Sequence, residues 1–212
     1  MSKRLGSGIY RGRPFGGVGF LWRKQFNNRI KIIRSDGSGR CLAKSFNLNN
    51  NTLINIVSVF VPYFSTSPSY GGDLGLCLDF ILSVPVRVQT IILGVMNFEC
   101  VKSHAGFVQS QNVFDAYSIH YCDDMCSSYD GSTYNNVSLG HSSFIDHVFI
   151  SDVLLQFIKR LDMLDSGTNL SDDRALAATF YFKLNSNSAL PPHMGRSETN
   201  TKYSWRWNKS DT

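Results

Sequence analysis

The chain has 212 residues, 42% of them hydrophobic, 13% aromatic and 17% charged; this length fits one domain, and this composition supports a buried core and excludes a disordered protein. No apolar run reaches the roughly 20 residues that a membrane-spanning helix needs, and the basic first residues lead into Gly-rich sequence, not into an apolar stretch. Five cysteines without a repeating spacing argue against a disulfide framework. We therefore expect an intracellular protein with no membrane partner.

The net charge of +5 is distributed unevenly along the chain. Residues 1–44 contain eleven lysines and arginines and one acid, Asp36, whereas the remainder contains ten bases and fifteen acids. A cationic segment favours a polyanionic partner, because neutralising phosphates releases condensed counterions. The candidate contacts to nucleic acid are Arg11, Arg13, Arg23 and Lys24. The alternative explanation is a solvated basic face on an ordinary pair of strands.

The first half of the chain is typical of a sheet interrupted by one helix. Strands are predicted over residues 17–22, 29–33, 41–46 and 53–61, and turn-like residues 25–28 join the first two into a hairpin. After a Gly-Gly break, apolar residues over 74–84 recur at near-helical spacing. The short apolar stretch 90–93 predicts a further strand.

The second half adds a strand over 143–150, an amphipathic helix over 152–164 and a strand over 176–184. Helices and strands alternate, so the fold class is mixed α/β. From residue 185 onward Ser, Asn, Pro and Thr dominate and the apolar periodicity ends. We therefore expect one domain over 1–184 and a flexible linker over 185–212.

Polar side chains lie beside three of these strands. Asn97 follows the strand over 90–93, Asp146 lies within the strand over 143–150, and residues 171–173 precede the strand over 176–184. Such side chains at strand ends converge on sites in α/β folds, although single Asn and Asp residues there also act as caps and turn formers.

One segment carries a specific resemblance. Residues 12–24 read G-R-P-F-G-G-V-G-F-L-W-R-K, which closely resembles the R-P-[YF]-G-G-V-x-x-L-W-[RK]-K segment of LINE-type non-LTR retrotransposon endonucleases. Further matches follow in the family's order: V-S-V-F-V-P at 57–62 resembles N-V-Y-[LV]-P, L-G-V-M-N-F-E-C at 93–100 resembles L-G-D-F-N-F-[DE]-C, S-S-F-I-D-H-V at 142–148 resembles S-x-I-D-H-[VI], and N-L-S-D-D-R-A-L at 169–176 resembles N-x-S-D-H-x-P-[LI].

The resemblance implies a member of the endonuclease/exonuclease/phosphatase superfamily, with a two-sheet α/β sandwich and Mg²⁺-dependent cleavage of a DNA phosphodiester. In that chemistry Mg²⁺ neutralises developing charge, an Asp activates water, and a His held by a second Asp binds the phosphate. Residues 207–211, W-N-K-S-D, resemble the string that precedes the reverse transcriptase in such polyproteins. The implied partners are DNA and, in the full-length ancestor, a reverse transcriptase domain, and the implied location of a functional protein is the nucleus.

Carried over residue by residue, the catalytic pattern is interrupted. The water-activating Asp falls on Val95, whereas Asn97, which would orient nucleophile or phosphate, is kept. The phosphate-binding His falls on Asp173, next to the retained metal-side residue Asp172. Asp146, which in the family orients that His, is then expected to face Asp173, and two close carboxylates should raise one pKa.

The resemblance also implies features that this sequence replaces or lacks. Ser58 and Phe60 stand where the family has Asn and Tyr. The family's opening strand and helix, with its metal-binding Glu, should precede Gly12 by some tens of residues, but only eleven residues are present. We therefore expect a sandwich missing its first strand and helix.

The resulting hypothesis is a retrotransposon-derived endonuclease-like domain, ancestrally an Mg²⁺-dependent DNA nickase and inactive in this chain, because losing members of a catalytic unit costs orders of magnitude in rate. Three alternatives stay open at this point. They are an enzyme with residual nicking, a catalytically dead nucleic-acid-binding module, and a pseudogene product without a role.

Overall fold

The structure is a computed structural model that describes residues 17–49, 52–61, 69–84, 89–100, 104–125, 132–164 and 171–182. Arg11, Arg13 and the proposed linker over 185–212 lie outside the described residues. No helix in the described ranges is both long enough and apolar enough to cross a membrane.

The described part of the chain contains ten strands and two α-helices, joined by 3₁₀ turns and loops. The strands are β1 (Ile30–Ser35), β2 (Cys41–Asn49), β3 (Thr52–Phe60), β4 (Gln89–Val95), β5 (Ile119–Tyr121), β6 (Tyr134–Asn136), β7 (His141–Ser143), β8 (Asp146–Ser151), β9 (Ile158–Leu164) and β10 (Ala175–Phe180). The helices are α1 (Ser69–Ser83) and α2 (Ala105–Ala116).

Six strands form the main sheet, in the order β1-β2-β3-β4-β8-β5. β3 and β4 are parallel and α1 lies between them in the chain, which is the connection that parallel neighbours require. The other pairs in this sheet are antiparallel. β9 with β10, and β6 with β7, form two smaller antiparallel sheets.

The central strands of the main sheet contribute to a core on each face of the sheet. This is possible because neighbouring residues of a strand point to opposite faces. Along β4, Ile92 enters one core and Ile91 the other, and along β8 the same division separates Phe149 from Ile150. Side chains of α1 and α2 complete the first core, and side chains of β9 and β10 complete the second. The mixed α/β sandwich expected from the sequence is confirmed.

Most predicted elements are confirmed in position, but the opening hairpin is not. Residues 17–22 form no strand, and Lys24–Arg29 forms a 3₁₀ turn ahead of β1. The N–H of Val18 instead donates to the carbonyl of Gly39, at 3.0 Å. Among the described residues, this segment therefore contacts the chain just before β2 through a single backbone bond and not through a strand ladder.

The predicted helix over 152–164 is wrong. Asp152–Leu154 forms a short 3₁₀ turn, and Ile158–Leu164 forms β9, paired with β10 from Ala175 to Phe180. Ile158 and Leu161 both enter the second core, although residues three apart point to opposite faces of a regular strand. The pairing of β9 with β10 is irregular between Ile158 and Arg160, and such a shift can turn both side chains to one face. Pairing with β10, the next strand along the chain, decides the outcome.

Candidate functional site

The ends of β4 and β8 bring two of the sequence-predicted residues into register. Val95, the last residue of β4, pairs with Asp146, the first residue of β8. The chain then turns through Met96, whose N–H donates to the carbonyl of Ile145 at 2.8 Å. These contacts place the two positions at one end of the main sheet, where β4 ends and β8 begins; we call this region the corner.

Asn97 lies two residues beyond β4 in the left-handed region of the backbone, with φ of 52°. Asparagine tolerates this conformation better than most residues do. Its side-chain amide donates to the carbonyl of Val61 at 2.6 Å, just beyond the end of β3. Asn97 therefore ties the ends of two parallel neighbours together at this corner.

The backbone before Asn97 approaches β3 unusually closely. Gly94 has φ of 142°, and a Cβ atom added there would lie 2.0 Å from the carbonyl oxygen of Val59. Glycine is the residue that fits this position. Gly94 is therefore required by the close approach of β3, and Asn97 by its hydrogen bond to Val61.

Thr133 fixes the start of β8 from the opposite side. Its buried hydroxyl oxygen accepts from the N–H groups of Ile145, at 3.0 Å, and Asp146, at 3.1 Å. Its carbonyl accepts from the N–H of Arg174 at 2.6 Å. Thr133 therefore joins the Asp146 position to the segment that carries Asp172 and Asp173, a role that the sequence did not signal.

The segment with Asp172 and Asp173 lies against β6. The N–H of Asn135 donates to the carbonyl of Asp172 at 2.7 Å, and Asp173 forms an isolated β-bridge with Tyr134. The side chain of Asp172 is half-buried and that of Asp173 is exposed. Backbone contacts thus hold this segment against β6, and the charge of Asp173 acts on Asp146 at the start of β8.

The surroundings of Asp146 disfavour the charged form of its carboxyl group. Burial raises the pKa of its carboxyl above the usual 3.8, and the negative charge of Asp173 raises it further, while the hydroxyl of Thr133 acts in the opposite direction. Its Oδ2 atom is buried and finds no hydrogen-bond partner among the described residues. A histidine at the Asp173 position would remove this repulsion, whereas an aspartate adds to it.

Three of the predicted site carboxylates do not form a compact cluster. In the described part of the chain, the ligand atoms of Asp146, Asp172 and Asp173 do not all lie within 4.8 Å of one another. Mg²⁺ is usually held by one or two carboxylates together with waters and substrate phosphates, and the assignment of Asp172 as its ligand stays a prediction. The aliphatic side chain of Val95 offers no ligand.

A different group does converge, directly behind Asp146. Ligand-type atoms of Cys100, Asp123 and His147 lie within 4.8 Å of one another. The distance from His147 Nδ1 to Asp123 Oδ2 is 2.5 Å, and His147 Nε2 donates to the carbonyl of Phe98 at 2.7 Å. Two ligands of one tetrahedral zinc ion would lie about 3.3 Å apart at usual bond lengths. We therefore interpret the group as a buried hydrogen-bonded pair beside a thiol whose pKa is raised by burial.

The two described candidates for nucleic-acid contact lie at the start of the described chain. Arg23 precedes the 3₁₀ turn Lys24–Arg29 and Lys24 opens it, and both side chains are exposed. Exposed cations at neighbouring positions are suited to contacts with phosphates.

Comparison with protein-family models and with curated proteins gives no match. Comparison with solved structures does. The endonuclease domain of TRAS1, a telomere-specific non-LTR retrotransposon, superimposes with a TM-score of 0.58 at 14% identity, over 75% of this chain and 72% of that one. The 3′ phosphatase NExo from Neisseria, bound to a product DNA hairpin, gives a TM-score of 0.57 at 13% identity over 72% and 70%. An endonuclease/exonuclease/phosphatase family protein from Leptotrichia buccalis gives 0.50 at 14% identity over 67% and 53%.

The chain has the endonuclease/exonuclease/phosphatase fold. Identities this low establish the fold and leave activity open. Within the endonuclease/exonuclease/phosphatase fold of this chain, the structure brings Val95, Asn97, Asp146 and Asp173 to one region of the main sheet. Their roles stay predictions. The sequence reasoning missed Thr133 and Asp123, and only the D-H dipeptide at 146–147 hinted at a buried partner.

Proposed function

We propose that this chain is a nucleic-acid-binding domain, descended from a LINE-type retrotransposon endonuclease, that binds DNA without cleaving it. The observation that carries the proposal is the register of Val95 with Asp146. By the resemblance, the first position should activate water and the second should orient a phosphate-binding histidine. Val95 stands at the first position. Asp146 stands at the second, and its neighbour is Asp173 in place of the histidine.

Both substitutions act against cleavage. Val95 can neither accept a proton from water nor polarise it. Asp173 places a negative charge where the family has a cation beside the attacked phosphate, so the developing charge is opposed. The pKa of Asp146, raised by burial and by Asp173, reflects this crowding of carboxyl groups. Losing one member of such a catalytic unit commonly costs several orders of magnitude in rate.

Binding is supported by charge. Residues 17–49 contain seven lysines and arginines and one acid, Asp36. Arg23 and Lys24 are exposed within this segment, and contacts from such side chains to phosphates are independent of nucleotide sequence. The NExo structure, which shares the fold, is bound to a DNA hairpin. The proposed partner is therefore DNA, contacted through its backbone.

The proposal is tested by measuring binding and cleavage on the same preparation of the full chain. Labelled duplex DNA is expected to bind with an affinity that falls steeply with salt, and supercoiled plasmid incubated with Mg²⁺ is expected to stay uncut. Nicking that survives purification, disappears in Asp172→Ala and persists in the matched variant Asp124→Ala would overturn the inactive assignment. Absence of any DNA binding at low salt would overturn the binding assignment.

A further inference from the structure

The indole of Trp22 is held in place before any ligand arrives. Its Nε1 donates to Oδ1 of Asn27 at 2.8 Å. The ammonium nitrogen of Lys44 lies over the ring, 3.9 Å from its centroid. Two different contacts, one at the edge and one on a face, therefore fix the orientation of the ring.

Lys44 ties this ring to the main sheet. It belongs to β2 and is only 8% exposed, and its ammonium also lies 5.9 Å from the centroid of the Phe20 ring. A desolvated ammonium between aromatic rings is attracted by both of them. The segment carrying Trp22 is further joined to the sheet end by the bond from Val18 to Gly39. The indole of Trp22 is thus held in a fixed orientation, which lowers the entropy cost of binding a ligand to it.

The indole nevertheless remains open to solvent. Trp22 is 42% exposed and the preceding Leu21 is 99% exposed. Trp22 keeps this exposed area although the ammonium of Lys44 lies over its ring. An ordered, partly exposed tryptophan beside exposed Arg23 and Lys24 combines a stacking surface with phosphate-binding cations. This combination is typical of surfaces that bind single-stranded nucleic acid.

Charge complementarity selects the occupant. The single acid in residues 17–49, Asp36, is engaged in its own turn, where its Oδ1 accepts from the N–H groups of Ser38 and Gly39, each at 3.2 Å. The exposed cations Arg23 and Lys24 favour a polyanionic occupant over an uncharged apolar one. In duplex DNA both faces of each base are stacked, so a base can lie on Trp22 only where it is unpaired.

We propose that Trp22 is a stacking platform for an unpaired base, so that this chain binds single-stranded nucleic acid or the unpaired portion of a partly opened duplex. The inference rests on the proposed function, since Arg23 and Lys24 supply the phosphate contacts. It adds a contact to bases, which cations alone do not provide.

The experiment compares two fluorescently labelled probes of equal length, an oligothymidylate and an abasic oligonucleotide that has phosphates but no bases. Trp22→Leu keeps an apolar side chain against Lys44 and removes the ring. It is expected to weaken oligothymidylate binding by about 5- to 150-fold and to leave abasic binding unchanged. Trp22→Tyr is expected to restore most of the affinity. Tyr117→Leu is the matched control, because Tyr117 is 41% exposed at the end of α2.

The outcomes separate the two proposals. Equal weakening for both probes, or failure of Trp22→Tyr to restore binding, overturns base stacking and leaves phosphate binding intact. An equal loss in Tyr117→Leu also overturns the assignment to Trp22. If the unaltered chain binds neither these probes nor duplex DNA at low salt, the proposed function itself fails, whereas binding to duplex DNA alone overturns only base stacking.

Discussion

His147 and Asp123 form a buried pair immediately behind the corner where β8 begins, with 2.5 Å between Nδ1 and Oδ2 and both side chains at most 1% exposed. Because Nε2 of the same imidazole donates to the carbonyl of Phe98, one ring joins β8, the turn Asp123–Met125 and the segment after Asn97. The ring of Phe98 also stacks on it, with 5.6 Å between centroids. The pair therefore holds together the elements that position Asp146.

Removing one member of this pair should destabilise the fold strongly. Asp123→Ala is expected to lower the free energy of unfolding by about 3–5 kcal/mol, because it leaves a buried imidazole without its acceptor. Urea denaturation followed by circular dichroism measures the change. Asp124→Ala, at the exposed neighbouring position, should change stability by no more than about 0.5 kcal/mol. Similar losses in both variants would contradict a structural role for the pair.

Two glycine substitutions should have opposite signs. Gly94→Ala is expected to cost more than about 3 kcal/mol, since its Cβ would lie 2.0 Å from the carbonyl oxygen of Val59 at φ of 142°. Gly75→Ala lies inside α1 with nothing within 4 Å of the added atom, and should stabilise by about 0.5–1 kcal/mol. Thermal unfolding of both variants checks the signs. A tolerated Gly94→Ala would mean that β3 and β4 do not approach as closely as described.

The raised pKa of Asp146 predicts a pH-dependent stability. The folded state holds this proton more tightly than the unfolded state, so stability falls as pH rises from the usual pKa of 3.8 through the raised one. Asp146→Asn removes the buried charge and is expected to raise the Tm at neutral pH, with a gain that shrinks as pH approaches 3.8. Asp124→Asn changes the net charge equally at an exposed position and should show no such trend. A gain independent of pH would contradict the electrostatic explanation.

The cationic segment should control the salt dependence of duplex binding. Replacing Arg11, Arg13, Arg23 and Lys24 together by Gln is expected to reduce the slope of log affinity against log salt by about three to four, at about 0.9 per phosphate contact. Affinities measured over a series of salt concentrations give this slope. The control replaces the exposed cations Lys159 and Arg160 of β9 by Gln. An unchanged slope in the fourfold variant, with a lowered slope in the control, would place the phosphate contacts at β9 and not in the cationic segment.

Local pattern was sufficient where apolar residues dominate an element or recur at a regular spacing. β3 and β4 are mostly apolar and mostly buried, and α1 repeats its buried apolar residues at helical spacing. Such elements could be predicted because burial constrains the residue type at many of their positions. The sequence also placed Asn97 after a strand and Asp172 before one, whereas Asp146 was expected within a strand and is the first residue of β8 in the structure.

Local pattern failed where two structures bury the same residues. The run from Leu154 to Leu161 fits a helix, but β10 supplies hydrogen bonds that turn Ile158–Leu164 into a strand. Residues 17–22 have strand propensity, but they pack as a covering segment whose Trp22 lies over Lys44. Propensity is a weak prior, and pairing with another element overrides it.

The sequence by itself determined the fold class, the order of the motifs and the chemical identity of the altered positions, because these depend on residue type and on burial along single elements. Only the tertiary structure decided that Thr133 bridges the segments of Asp146 and Asp173 and that His147 pairs with Asp123. Each of these relationships joins residues from separate elements. The energy of each contact depends on the distance between its two groups, and the pattern of residues along a single element does not specify that distance.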